Sequence, residues 1–194
     1  MGDIEKQIEE AKEVIEEDGI VVFPTETAYG IAADATSRVA VEKVYEAKKR
    51  PRSKGLTAIV DSMETAERYA ELSDRETKVI EEFMPGPLTL VAEKKNSVPD
   101  NLNEDFAFRI SSGEVADKLS EIGPITATSA NISGNDTSYS IDDISNKLLE
   151  KVDYVIDAGT LNKGPTSAIA AVREDGVKVF REGPIKKKEI EKIV

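Results

Sequence analysis

Short apolar runs alternate along this chain with longer segments of helical periodicity, and that alternation narrows the fold more than any other feature. Residues 19–24, 56–60, 88–93, 106–110, 125–128, 152–156, 167–172 and 177–180 read as strands. Between them, Ile4, Ile8, Ala11 and Ile15 recur at helical spacing. Ser37, Ser62 (or Asp61), Ser73 and Ser140 stand where helices running toward 48, 70, 83 and 151 need an N-cap. Further helices are expected over 114–122 and 185–193, while Pro51, Pro85-Gly86-Pro87 and Gly123-Pro124 punctuate the pattern. Strands alternating with helices predict an α/β fold, a mixed sheet with helices packed on it. No linker, low-complexity tract or repeat interrupts the pattern, so residues 1–194 are expected to form one domain.

The residue types missing from that scaffold limit its chemistry. There is no Cys and no His. Thiol nucleophiles, Ser-His-Asp triads, imidazole proton shuttles and Cys/His zinc sites are therefore excluded. Chemistry must come from hydroxyls, amides, carboxylates, Lys, Arg or the backbone. The lack of Cys agrees with a reducing cytoplasm, and the N-terminus MGDIEKQIEE is acidic where a signal peptide is basic. No apolar run approaches the roughly 20 residues that span a bilayer. A cytoplasmic location without membrane association is the expectation. The formal net charge of −12 disfavours general binding to nucleic acid.

The common nucleotide fingerprints are missing, as is the Gly-x-Ser-x-Gly elbow. Polar stretches cluster instead at strand ends. The segment 48–54, Lys-Lys-Arg-Pro-Arg-Ser-Lys, holds five cations in an otherwise acidic chain. It reads either as a solvated helix end favoured by the macrodipole or as a polyphosphate site in which Lys48 and Arg50 aim at one point. Thr128-Ser129-Ala130-Asn131-Ile132-Ser133-Gly134 follows a strand and reads either as an Asn/Gly turn or as a ligand loop. Pro24-Thr25-Glu26-Thr27-Ala28-Tyr29-Gly30 gathers three hydroxyl side chains and a carboxylate, which suits a capped turn or a binding loop. Arg109 interrupts an apolar strand, on its wet face or inward with an anionic partner. Gly164-Pro165-Thr166-Ser167 and Arg181-Glu182-Gly183-Pro184 flank the last strands.

Taken in order, these stretches closely resemble the YrdC-like family of threonylcarbamoyl-adenylate synthases, across nearly the whole chain. The matching segments are 23–30, 48–56, 84–89, 106–110, 128–134, 164–169 and 180–183. The resemblance implies a twisted mixed β-sheet with packed helices around a deep, positively charged concavity. It implies a reaction in which L-threonine, bicarbonate and ATP give threonylcarbamoyl-AMP and pyrophosphate, with Mg²⁺ accompanying the ATP. The product would pass to a tRNA threonylcarbamoyl transferase complex that modifies the adenosine beside the anticodon, so this chain need not hold tRNA itself.

Residue by residue, the resemblance implies catalytic roles for Lys48, Arg50, Ser129 and Asn131. Nucleotide contacts would come from Arg50, Lys54, Asn131, Ser138 (or Tyr139) and Arg181. Threonine contacts would come from Thr27, Arg109, Ser129 and Ser167. No protein metal site is expected. Three departures stand out. Ile59 falls where many relatives carry a histidine, Ser111-Ser112-Gly113 replaces the usual His-Pro, and Pro165-Thr166-Ser167-Ala168-Ile169 replaces Pro-Ser-Thr-Ile. Two other readings compete. An RNA-binding module could use the same basic concavity, against the acidic net charge. Carbamoyl-adenylate chemistry of hydrogenase maturation belongs to much longer proteins with zinc-binding cysteines.

Overall fold

The computed structural model describes residues 2–194. Its elements in chain order are α1 (Gly2–Glu16), β1 (Val21–Pro24), β2 (Tyr29–Ala32), α2 (Arg38–Lys48), β3 (Ala58–Val60), α3 (Met63–Tyr69), β4 (Ala70–Glu71), α4 (Asp74–Phe83) and β5 (Leu88–Lys94). They continue with β6 (Phe106–Ile110), α5 (Glu114–Ser120), β7 (Ile125–Thr126), β8 (Thr128–Ser129), a 3-10 turn (Ile141–Asp143) and α6 (Asn146–Leu149). The last are β9 (Tyr154–Val155), β10 (Ala168–Arg173), β11 (Gly176–Arg181) and α7 (Lys187–Ile190).

Two sheets result. The smaller has the order β8-β2-β1-β9; the larger has the order β11-β10-β5-β6-β3-β7, with β4 added on β5. Alternation along the strands separates two faces of the larger sheet. Leu88, Leu90 and Ala92 of β5, with Phe106 and Phe108 of β6, pack into the main core beneath α2, α3 and α4. Thr89, Val91, Ala107 and Arg109 take the opposite face and line a cavity. A second core joins Ile8, Ala11 and Ile15 of α1 to Phe23, Ile59, Leu119 and Ile125.

Three of the four expected serine caps form as the sequence predicts; Ser140 heads only a 3-10 turn. Ser37 accepts from the Ala40 amide, Ser62 from the Thr65 amide, and Ser73 with Glu76 closes a capping box. Three expectations need correction. The segment 25–30 is not all loop: it runs into β2, which pairs antiparallel with β1. Gly30 permits that hairpin, since a Cβ there would come within 3.1 Å of the Phe23 ring. The single strand expected over 125–128 is two strands in different sheets, β7 on β3 and β8 on β2, with Ala127 at the crossing. The helix expected over 140–151 breaks into the 3-10 turn and α6. Asp143 accepts from the Tyr139 and Ser140 amides at 2.9 Å each, closing a turn too tight to continue as α-helix.

Candidate active site

The basic segment after α2 separates its cations. Lys49 caps the helix in the left-handed conformation at φ 49°, and the Arg50 amide returns to the Tyr45 carbonyl at 2.9 Å. This turn lets Lys48 and Arg50 both face inward while Lys49 stays exposed. Arg50 lines the cavity, with Nε donating to the Lys54 carbonyl at 2.6 Å and Nη2 to the Gly55 carbonyl at 2.9 Å. Arg52 instead pairs with Glu42 and lies over the Tyr45 ring, 4.3 Å from its centroid.

Lys48 is 1% exposed and does not line the cavity. Its ammonium donates to the Ser129 carbonyl, to the Asn131 carbonyl at 2.8 Å and to Asn131 Oδ1 at 3.3 Å. Burial, and then the charge of Arg50, push its pKa down to about 7. In this way Lys48 ties the helix end to the loop after β8. Ser129 lines the cavity and donates through Oγ to Asn131 Oδ1. Asn131 stands behind it, bonded to the Asn135 carbonyl, and does not reach the cavity lining.

Across the cavity, Arg109 points from β6 toward the loop between β1 and β2. Its Nη1 pairs with Glu26 Oε1, and its Nη2 lies 3.3 Å from Glu26 Oε2. Ser111 Oγ donates to the same Oε2 at 3.1 Å. Burial pushes the Glu26 carboxyl up, but the hydrogen bonds and charge of Arg109, its own amide and Ser111 together hold it below the ordinary value. Arg181 reaches back to β10, with Nε on the Ser167 carbonyl at 2.9 Å and Nη2 on Ser167 Oγ at 3.0 Å. Thr89 Oγ1 lies 3.0 Å from the same Ser167 hydroxyl. Partial burial, then the neighbouring Arg109, push the Arg181 guanidinium down.

These groups meet in one cavity of about 620 Å³, within the usual range for small-molecule sites. Of the residues expected at the site, it gathers Thr27, Arg50, Arg109, Ser129, Ser167 and Arg181. Two more stay outside. Lys54 is exposed and contributes its backbone carbonyl to Arg50, and Ser138 is buried with Oγ on the Ala130 carbonyl, so Thr137 lines the cavity in its place. Ile59 is fully buried in the second core, so the position where relatives carry histidine is apolar packing here. The charged lining holds Arg50, Arg109 and Arg181 against Glu26, Glu104 and Asp105, which makes the concavity mixed in charge rather than uniformly basic. Sequence reasoning overlooked Glu26 and Thr89 as site residues. Thr89 had a signal, as a polar position alternating with the core positions Leu88 and Leu90.

A hollow between two sheets, lined by arginines, carboxylates and hydroxyls, defines an α/β protein with a cavity of small-molecule size. The sequence profile of the Sua5/YciO/YrdC family, described as "Telomere recombination", matches residues 13–183. The chain belongs to the Sua5/YciO/YrdC family. It is 40% identical over 181 residues to a Methanocaldococcus jannaschii protein provisionally named threonylcarbamoyl-AMP synthase, covering 93% of this chain and 87% of that relative. It is 36% identical over 186 residues to the threonylcarbamoyl-AMP synthase of Pyrococcus abyssi, covering 93% of this chain and 55% of that one. Among solved structures, P. abyssi Sua5 complexed with L-threonine superposes with a TM-score of 0.89 at 35% identity, over 96% of this chain and 57% of that one. The chain thus spans little more than half the length of the Pyrococcus relative.

Proposed function

We propose that this chain is an L-threonylcarbamoyladenylate synthase, a nucleotidyltransferase that converts L-threonine, bicarbonate and ATP to threonylcarbamoyl-AMP and pyrophosphate. The observation that carries the reading is the convergence of Arg50, Arg109, Ser129 and Arg181, from four separate stretches of chain, on one cavity. The names of the Methanocaldococcus and Pyrococcus relatives, and the threonine in the Pyrococcus structure, support it.

The chemistry suits a site without Cys or His, because adenylation depends on positioning and charge neutralisation more than on covalent help. The threonine ammonium first gives up a proton, and the free amine adds to bicarbonate with loss of water to give an N-carboxylate. An oxygen of that carboxylate attacks the α-phosphorus of ATP, the bond to the β-phosphate oxygen breaks, and pyrophosphate leaves. Arg50 neutralises charge at the carbamate and α-phosphate. Ser129 offers a hydroxyl there, held from behind by Lys48 and Asn131. Arg109 takes the threonine carboxylate beside Thr27 and Ser167, and Arg181 holds the nucleotide phosphates. Mg²⁺ is proposed to arrive with ATP and to neutralise phosphate oxygens.

The product, a mixed anhydride, would supply a tRNA threonylcarbamoyl transferase complex in the cytoplasm. No described helix is long and apolar enough to cross a membrane. An RNA-binding role is disfavoured by the fate of the basic segment: Lys48 is buried, and Arg52 is paired and stacked. Pyrophosphate release from ATP and bicarbonate tests the reading. Release that depends on L-threonine is expected, whereas release indifferent to it refutes the assignment.

A further inference from the structure

We infer that Thr89 is a positioning residue that holds the Ser167 hydroxyl as a hydrogen-bond donor aimed into the cavity. This rests on the proposed reaction, in which Ser167 meets the amino acid and Arg181 the phosphates.

Three strands bring these groups together. Thr89 of β5 lies beside Ile169 of β10, and Ile169 beside Arg181 of β11. Ser167 stands two residues before Ile169, and both line the cavity. Val177 and Val179 of β11 pack toward the main core, and strict alternation would send Arg181 there as well. The register shifts between Ile169 and Ala170, whose partners Arg181 and Val179 leave Phe180 as an extra residue. A bulge of this kind re-aims the side chain beside it, and here Arg181 is turned onto Ser167. The chain just beyond β11 closes on the same spot. A Cβ at Gly183 would collide with the Ala168 amide and lie 2.8 Å from the Ser167 carbonyl carbon. Glycine permits that close approach, so the backbone carrying Ser167 is clamped.

The direction of each hydrogen bond follows from the protons available. Arg181 Nη2 can only donate, and it gives a proton to Ser167 Oγ at 3.0 Å. Thr89 Oγ1 lies 3.0 Å from the same oxygen. Thr89 is 2% exposed, and Ser167 Oγ is the one acceptor its hydroxyl meets among the described residues. A buried hydroxyl proton needs an acceptor, so Thr89 donates as well. Ser167 Oγ then accepts twice, and its own proton is left for a ligand. The bond from the guanidinium strengthens that donor. Thr166 also lines the cavity, but no side-chain partner holds its hydroxyl among the described residues. Thr89 thus decides which of two adjacent hydroxyls is preset.

The test is a double-mutant cycle on the full chain. Calorimetry would read the dissociation constant of L-threonine in wild type, Thr89→Val, Ser167→Ala and the double variant. Valine keeps the shape of threonine and removes the hydroxyl. Thr89→Val should weaken threonine binding on the order of tenfold, and Thr89→Ser should restore it. Added to Ser167→Ala, Thr89→Val should change affinity by less than about twofold, because Thr89 acts through Ser167. Equal weakening with and without the Ser167 hydroxyl would overturn the inference. So would unchanged threonine affinity in Thr89→Val with only a lower melting temperature, which would make the pair a staple between β5 and β10. Ser167→Ala binding threonine as tightly as wild type would overturn it too, whether or not Thr89→Val folds. A wild type that binds no threonine would overturn the proposed reaction and the inference with it.

Discussion

Lys48 and Arg50 are two residues apart and chemically alike, yet one is sealed behind the loop it supports and the other faces the cavity. Arg50→Ala should abolish pyrophosphate release while thermal unfolding remains cooperative, and Arg50→Lys should restore only part of the rate because the planar fork is lost. Arg109→Ala should raise the KM for threonine more than that for ATP; the reverse order would place Arg109 at the nucleotide. Glu26 gives a pH prediction. Its folded-state pKa is held below its ordinary value of 4.5. The stability it contributes is therefore present above that value and lost as pH falls through the depressed one. Denaturant unfolding across acid pH should show a shallower loss in Glu26→Gln than in wild type; equal slopes would mean the ion pair stabilises nothing. Residue types announced this site: the unusual cations, the strand arginine and the strand-end hydroxyls were legible. The division of labour between Lys48 and Arg50 was not, because it depends on a left-handed Lys49 that no local pattern demands.

At the scale of elements, the caps at Ser37, Ser62 and Ser73 were the most readable signals, since each serves an amide only three residues away. Ser73→Ala removes one side of a capping box and should cost about 1 kcal/mol. That should lower the melting temperature by roughly 2–4 °C in a chain of this size. Lys49→Gly should do the opposite, raising stability by up to about 1 kcal/mol, because glycine takes the left-handed cap without the Cβ penalty. A lower melting temperature for Lys49→Gly would show that the lysine side chain holds the turn. Elements defined by distant partners were harder to read. The short strands β7 and β8 look like one apolar run until Ala127 is seen bridging to Thr57, with its amide on the Thr57 carbonyl at 2.7 Å. Asp143 ended a predicted helix through two local bonds whose geometry the helical pattern conceals.

At the scale of the molecule, the cavity exists because the chain crosses between two sheets and leaves polar loops on both sides of the gap. Strand–helix alternation made the α/β class legible, and the ordered polar motifs made a shared site legible. The balance of charge in the hollow was not. It requires knowing that Glu26 turns toward Arg109 while Asp105 turns to Arg173 at 2.9 Å, contacts made across long stretches of sequence. A net charge of −12 and an arginine-lined cavity are compatible because those arginines are gathered locally and partly neutralised. The central claim is that this hollow joins carbon from bicarbonate to an amino acid and then to AMP. Mass spectrometry of the adenylate formed from ATP, L-threonine and isotopically labelled bicarbonate tests it most directly. The account predicts one labelled carbon in a threonine-containing adenylate; an adenylate of threonine without the label, or AMP alone, would contradict it.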